Sequence, residues 1–178
     1  MNLTNVAGNS AFSSRSSWKL DPGIWIFRSA AYEAWRRVAG RHFRLARWRG
    51  KFYPKDLPNR RELEYASRIL NSVEINGSFY SLQLPSSYQR WHSETPDDFV
   101  FAVKGARFIT HMKKLRDVKT PLANFFASGV LALRKKLGPI LWQLPPNLSW
   151  NKERLEEFFE LLPRDTRSAA KLAKKHND

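Results

Sequence analysis

The chain has 178 residues, 42% of them hydrophobic and 13% aromatic, which suits one globular domain with a sizeable core and argues against a disordered polymer. It has no cysteine, so disulfide frameworks and thiolate metal sites are excluded, and no apolar run approaches the roughly 18 residues of a membrane span. The net charge of +15 gathers toward the ends: residues 1–45 carry seven Lys/Arg against two acids, and residues 166–178 carry four against one.

In chain order, residues 1–20, "MNLTNVAGNSAFSSRSSWKL", are rich in Ser and Asn and show no periodicity, so they read as a tail. "GIWIF" is too short to span a membrane. Residues 28–47 are Arg-rich and poor in acids, which matches the composition of an organellar transit peptide and equally that of a basic helix lying on a core. No secretory signal is visible. Together with the missing cysteines, this leads us to expect a cytoplasmic protein with no membrane association. We take residues 1–45 as a poorly ordered or atypical basic extension and residues 46–178 as the folded domain.

After "RGKFYPKDLP" the pattern becomes regular. "NRRELEYASRIL" predicts a helix with Asn59 as N-cap and Glu62 completing a capping box. "SVEINGSFY" predicts a strand, "SSYQRWHSET" a helix and "FVFAVKG" a second strand. "PLANFFASGVLALRKKLG" predicts one helix closed by Gly138, and "PILWQLPP" a third strand. Two more helices are expected, one capped by Ser149 or Asn151 and one by Asp165 or Thr166. Strands alternating with helices imply an α/β fold with parallel strands, and strands this apolar are covered on both faces. No G-x-G-x-x-G follows the first strand, which disfavours a doubly wound nucleotide-binding domain and favours part of a TIM barrel.

The two-residue period of a strand selects the polar candidates. Glu74 and Asn76 share one face of the first strand, Lys104 shares a face with Ala102 in the second, and Gln143 shares a face with Leu141 in the third. All lie at or near C-terminal strand ends, where barrel enzymes keep their sites. Glu74 suits a general acid or base, Lys104 an electrostatic stabiliser, and His111, seven residues beyond Lys104, a second proton carrier. Asn76, Tyr80, Arg107 and Gln143 would bind substrate. Arg107 and Lys113 suit a small anion, or else belong to a solvated basic loop. A Glu–Lys pair inside a barrel can also be purely structural. Trp48, Tyr53, Phe79, Tyr80 and Trp142 read mainly as packing. A lone His without a second ligand in spacing argues against a metal site, and the sequence identifies no cofactor.

The strings "WRGKFYP", "VEINGSFY", "FAVKGARFITH", "PLANFF" and "KLGPILWQLPP" resemble the YecE-like proteins, the family labelled domain of unknown function 72, from about Trp48 onward. The resemblance implies a TIM-barrel-like fold and no defined reaction. Its recurrent polar positions fall on Glu74, Asn76, Lys104, His111 and Gln143. Relatives of that kind begin with a strand ending in an "SGW"-type motif, where this chain has "GRHFRLAR", and they continue well past "KKHND". We therefore expect the N-terminal half of a barrel, truncated, with two exposed strand edges and a tendency to self-associate. Three functions fit: an enzyme fragment acting on a small anionic or sugar-like substrate at the C-terminal rim; a nucleic-acid-binding barrel using Arg107, Lys113, Lys114 and Arg116; or a truncated product without independent activity.

Overall fold

The computed structural model describes residues 17–20, 24–27 and 49–174. Among them a five-stranded sheet runs in the order β1 (Ser17–Leu20), β2 (Ile24–Phe27), β5 (Leu137–Leu141), β4 (Val100–Lys104), β3 (Ser72–Ile75). β3, β4, β5 and β2 are parallel neighbours, and β1 pairs antiparallel with β2. The sequence reading placed no strand at β1 or β2. β2 lies along the edge of β5, so that edge is covered and the outer strands of the sheet are β1 and β3.

The helices are α1 (Glu62–Ser67), the single turn α2 (Gly77–Tyr80), α3 (Pro85–Ser93), α4 (Lys119–Ala127), α5 (Lys152–Leu161) and α6 (Thr166–Lys174). Val73, Ile75, Phe101, Val103 and Ile140 point from the sheet into one apolar cluster with Leu63, Tyr88, Leu122, Phe125, Leu133 and Phe158. Each large side chain buried there contributes about 2–3 kcal/mol. Ala102 and Leu141, from the opposite sheet face, are buried but lie outside that cluster. Consecutive parallel strands with their connecting helices packed on one face are the arrangement of a segment of barrel wall, as the sequence led us to expect.

Four local expectations change. The strand expected through Tyr80 stops at Ile75, because Asn76 takes helical angles (φ −86°, ψ −18°) and α2 begins. Its Ser78 hydroxyl lies 2.6 Å from the Lys104 carbonyl and 2.8 Å from that of Ile75, sharing its hydrogen between the ends of β4 and β3. The capping box does not form. Asn59–Arg61 is a 3-10 turn, and the side chains of Asn59 and Glu62 both accept from Arg49, the latter at 2.8 Å. Arg49 opens the "RGKFY" turn, in which Gly50 (φ +76°) donates to the Tyr53 carbonyl at 2.7 Å. The turn is thus tied to α1 through the buried Glu62, and burial, aided by that carboxylate, pushes the Tyr53 phenol up to about 12.

The helix expected over 121–138 is broken at Gly129 (φ +103°), whose missing Cβ lets Pro85 approach; a Cβ would sit 2.6 Å from the Pro85 Cα. A 3-10 segment, Val130–Lys136, follows. Gly138 does not close a helix but lies in β5. The β4–β5 register shifts there, since Pro139 has no N–H to give to the ladder. The later caps hold as expected: the Asn151 side chain accepts from the Arg154 N–H at 2.7 Å, and Asp165 from that of Ser168 at 2.7 Å.

Candidate functional site

Parallel neighbours in register present the same face, so the pairings Glu74↔Ala102 and Lys104↔Leu141 put Glu74, Ala102, Lys104 and Leu141 on one side of the sheet. That is the side away from the helix-packed cluster. Glu74 and Lys104 are each only 6% exposed. Lys104 is the last residue of β4 and Glu74 stands one residue before the end of β3, so both reach the rim where the strands end.

Past the strand ends the chain builds a stack. The Lys104 ammonium lies 4.4 Å from the centre of the Phe79 ring, a cation–π contact. Phe79 in turn meets His111 edge-on at 5.1 Å between centroids, and Tyr80 edge-on at 5.1 Å. Phe79 reaches this position because β3 turns into α2 immediately after Asn76; as part of a continued strand it would stand further out. His111 reaches it through a π-helical turn, Phe108–Met112, a wide-turned geometry common at functional sites. The loop beyond runs through three left-handed non-glycine residues, Lys114, Leu115 and Asp117, and is pinned by the buried Leu115, whose N–H bonds the Ile109 carbonyl at 3.0 Å.

The electrostatics are those of a cation cluster. Loss of solvent, then the positive charges of Arg107 and Lys104, hold the His111 imidazole below its ordinary value of 6.5, so it is neutral at neutral pH. The buried Thr110 hydroxyl lies 2.9 Å from its Nδ1, which leaves Nε2 as the nitrogen to exchange a proton outward. Lys113 leans toward Asp117 at 4.0 Å, and Arg107 is exposed at the start of the π-turn.

The remaining predicted residues are placed less uniformly. Asn76 lies beyond the strand, so strand parity does not set its direction, although its Oδ1 is buried. Gln143 is two residues past the end of β5; its Oε1 is buried with no hydrogen-bond partner among the described residues. Tyr80 is exposed. Trp48 lies outside the described residues. Sequence reasoning missed Ser78 and Thr110, and it treated Phe79 mainly as packing. A serine two residues after a polar strand end, and a threonine next to the candidate histidine, were the available signals. Among the described residues no three His, Asp or Glu side chains gather as a metal site, and no helix is long and apolar enough to cross a membrane.

The sequence pattern of the family described as "Protein of unknown function DUF72" matches residues 37–172. The chain belongs to the DUF72 family. It is similar to the UPF0759 protein YunF of Bacillus subtilis (strain 168), at 28% identity over 108 residues, which covers 58% of this chain and 38% of that one. It is 35% identical over 83 residues to the UPF0759 protein YecE of Escherichia coli (strain K12), covering 47% of this chain and 30% of that protein. Among solved structures, a DUF72 family protein (EF0366) from Enterococcus faecalis V583 aligns with a TM-score of 0.45 and 19% identity, over 56% of this chain and 43% of that one. This DUF72 chain thus matches only 30% to 38% of the length of these curated relatives.

Proposed function

We propose that the C-terminal ends of β3, β4 and β5 form the anion-binding side of a barrel-type active site that acts on a small anionic or sugar-like substrate. One observation carries this reading: Glu74 and Lys104, both buried, share the sheet face turned away from the helix-packed cluster, at the ends of adjacent parallel strands. Burying two ionisable side chains there costs stability that an apolar pair would not cost, which is expected where a ligand uses them. Lys104 and Arg107 neutralise the substrate's anionic group, and the neutral His111 and Glu74 exchange protons with it. Asn76, Gln143 and Tyr80 orient its uncharged part. The mutual repulsion of Lys104, Arg107 and a protonated His111 is relieved when an anion sits among them.

The test is thermal stabilisation of the full chain by inorganic phosphate and by ribose 5-phosphate. Both should stabilise the protein. Lys104→Ala should abolish the effect, Lys104→Arg should keep it, and Glu74→Gln should weaken only the response to the sugar phosphate. Equal stabilisation of all variants, or none of any, removes the reading.

A further inference from the structure

Eight large apolar side chains are exposed among the described residues, and six of them stand in the loops that follow the parallel strands. Tyr80, Leu82 and Leu84 lie after β3, Phe108 and Met112 after β4, and Trp150 after β5; only Ile69 and Val100 are at the other end of the sheet. Tyr80 is 63% exposed, Phe108 45%, Met112 63% and Trp150 78%, so these side chains are not parts of the core that merely show an edge.

The charge on the same rim is unevenly divided. The loops after β3 and β5, "NGSFYSLQL" and "WQLPPNLSWN", carry no charged residue. The loop between them, "GARFITHMKKLRDVK", carries Arg107, Lys113, Lys114, Arg116 and Lys119 against one acid, Asp117. A phosphate or carboxylate alone would use the middle loop and leave the aromatic flanks wet. An apolar ligand would leave the cations unmatched. A ligand that joins a phosphate to a planar ring fits both.

We infer that the rim binds a nucleotide unit, with its phosphate at Lys104 and Arg107 and its base stacked on Tyr80 or Trp150. The strands that present the three loops span about 10 Å from β3 to β5, which brings either flank within one nucleotide of the central cations. Aromatic side chains beside a cationic track are how proteins hold single-stranded nucleic acid without reading its sequence, and every base has a face to offer. The same chemistry serves a free mononucleotide. The inference deepens the anion-binding reading and rests on it, since the phosphate is placed at the same cations.

Calorimetric titration of the full chain tests it with inorganic phosphate, adenosine 5′-monophosphate and a twelve-residue oligothymidylate. Stacking on one aromatic side chain strengthens binding roughly five- to a hundredfold. Adenosine monophosphate or the oligonucleotide should therefore bind at least fivefold more tightly than phosphate. Tyr80→Ala with Trp150→Ala should remove that margin over phosphate; both residues are exposed, and circular dichroism checks that the fold is intact. A tighter oligonucleotide than mononucleotide assigns the site to single strands, and the reverse order to free nucleotides. Equal affinity for all three ligands, or a margin that survives the double substitution, overturns the stacking while the anion site stands. No binding of any of them overturns both.

Discussion

Gly105 joins the last residue of β4 to the loop that carries Arg107 and His111, and it is the point at which a single methyl group tests the whole arrangement. A Cβ at this position would lie 2.3 Å from Cε3 and 2.4 Å from Cζ3 of Trp142, against an ordinary carbon–carbon contact of about 3.5–4.0 Å. Relief needs a shift of more than about 1 Å. Trp142 has no room to give it, being fully buried with its ring centroid 5.4 Å from Phe125 on one side and 5.4 Å from Phe158 on another. Overpacking of this kind costs about 1–3 kcal/mol, and the rigid surroundings put Gly105→Ala near the upper end, about 3 kcal/mol. For a chain of this size that is a fall in Tm of roughly 6–12 °C. The two closest atoms belong to the outer benzo ring of the indole, beyond the reach of a phenylalanine ring, while Cδ2, 2.9 Å away, has a counterpart in phenylalanine. In a Trp142→Phe background the same substitution should therefore cost clearly less than in the native protein. Thermal and urea unfolding followed by circular dichroism measure both differences. Equal costs in the two backgrounds would refute the close approach of Gly105 to Trp142, and with it the path by which β5 supports the end of β4.

Two further substitutions test buried polar contacts that tie the fold together. Arg49→Met removes the partner of the buried Glu62, a contact of 2.8 Å with the guanidinium about one-third exposed, and should destabilise by about 1–3 kcal/mol in urea unfolding. Adding Glu62→Gln should recover part of the loss; no recovery would mean that the pair does not anchor the turn. Lys136 is 2% exposed, and its ammonium donates to the carbonyls of His92 at 2.6 Å and Thr95 at 2.7 Å, at the C-terminal end of α3. Lys136→Met keeps the stem and leaves those carbonyls unpaired, at a cost of about 2–3 kcal/mol; a neutral result would contradict its role as the cap of that helix.

Much of the barrel wall was legible because β3, β4 and β5 are short runs of apolar and β-branched residues with helical patterns between them. Their parity correctly put Glu74 and Lys104 on one face. What stayed hidden depended on contacts between distant segments. Asn59 and Glu62 have the spacing of a capping box, but an arginine ten and thirteen residues earlier claims both side chains. Gly129 reads as one weak residue inside a long helix, and only the approach of Pro85 from α3 makes it a break. "EINGSFY" reads as a strand from its apolar ends, yet Asn76 and Gly77 interrupt it and the Ser78 hydroxyl bonds across to the end of β4. The pairing of β2 with β5 could not be read at all, since "IWIF" carries no information about its partner.

The most direct test of the rim as an anion site is the titration of His111, followed by NMR with and without inorganic phosphate. Without phosphate the midpoint should lie below 6.5, because desolvation and the charges of Arg107 and Lys104 all oppose protonation. A folded midpoint below the unfolded one means that the unfolded chain binds more protons. The stability this group contributes is therefore present above about pH 6.5 and is lost as the pH falls through the lowered midpoint. An anion seated at Lys104 and Arg107 cancels two of the three causes, so saturating phosphate should move the His111 midpoint upward. His92, lowered by burial and by Lys136 and Arg134 away from the rim, should stay in place. A His111 midpoint that phosphate leaves unmoved, or that shifts no more than that of His92, would contradict the account.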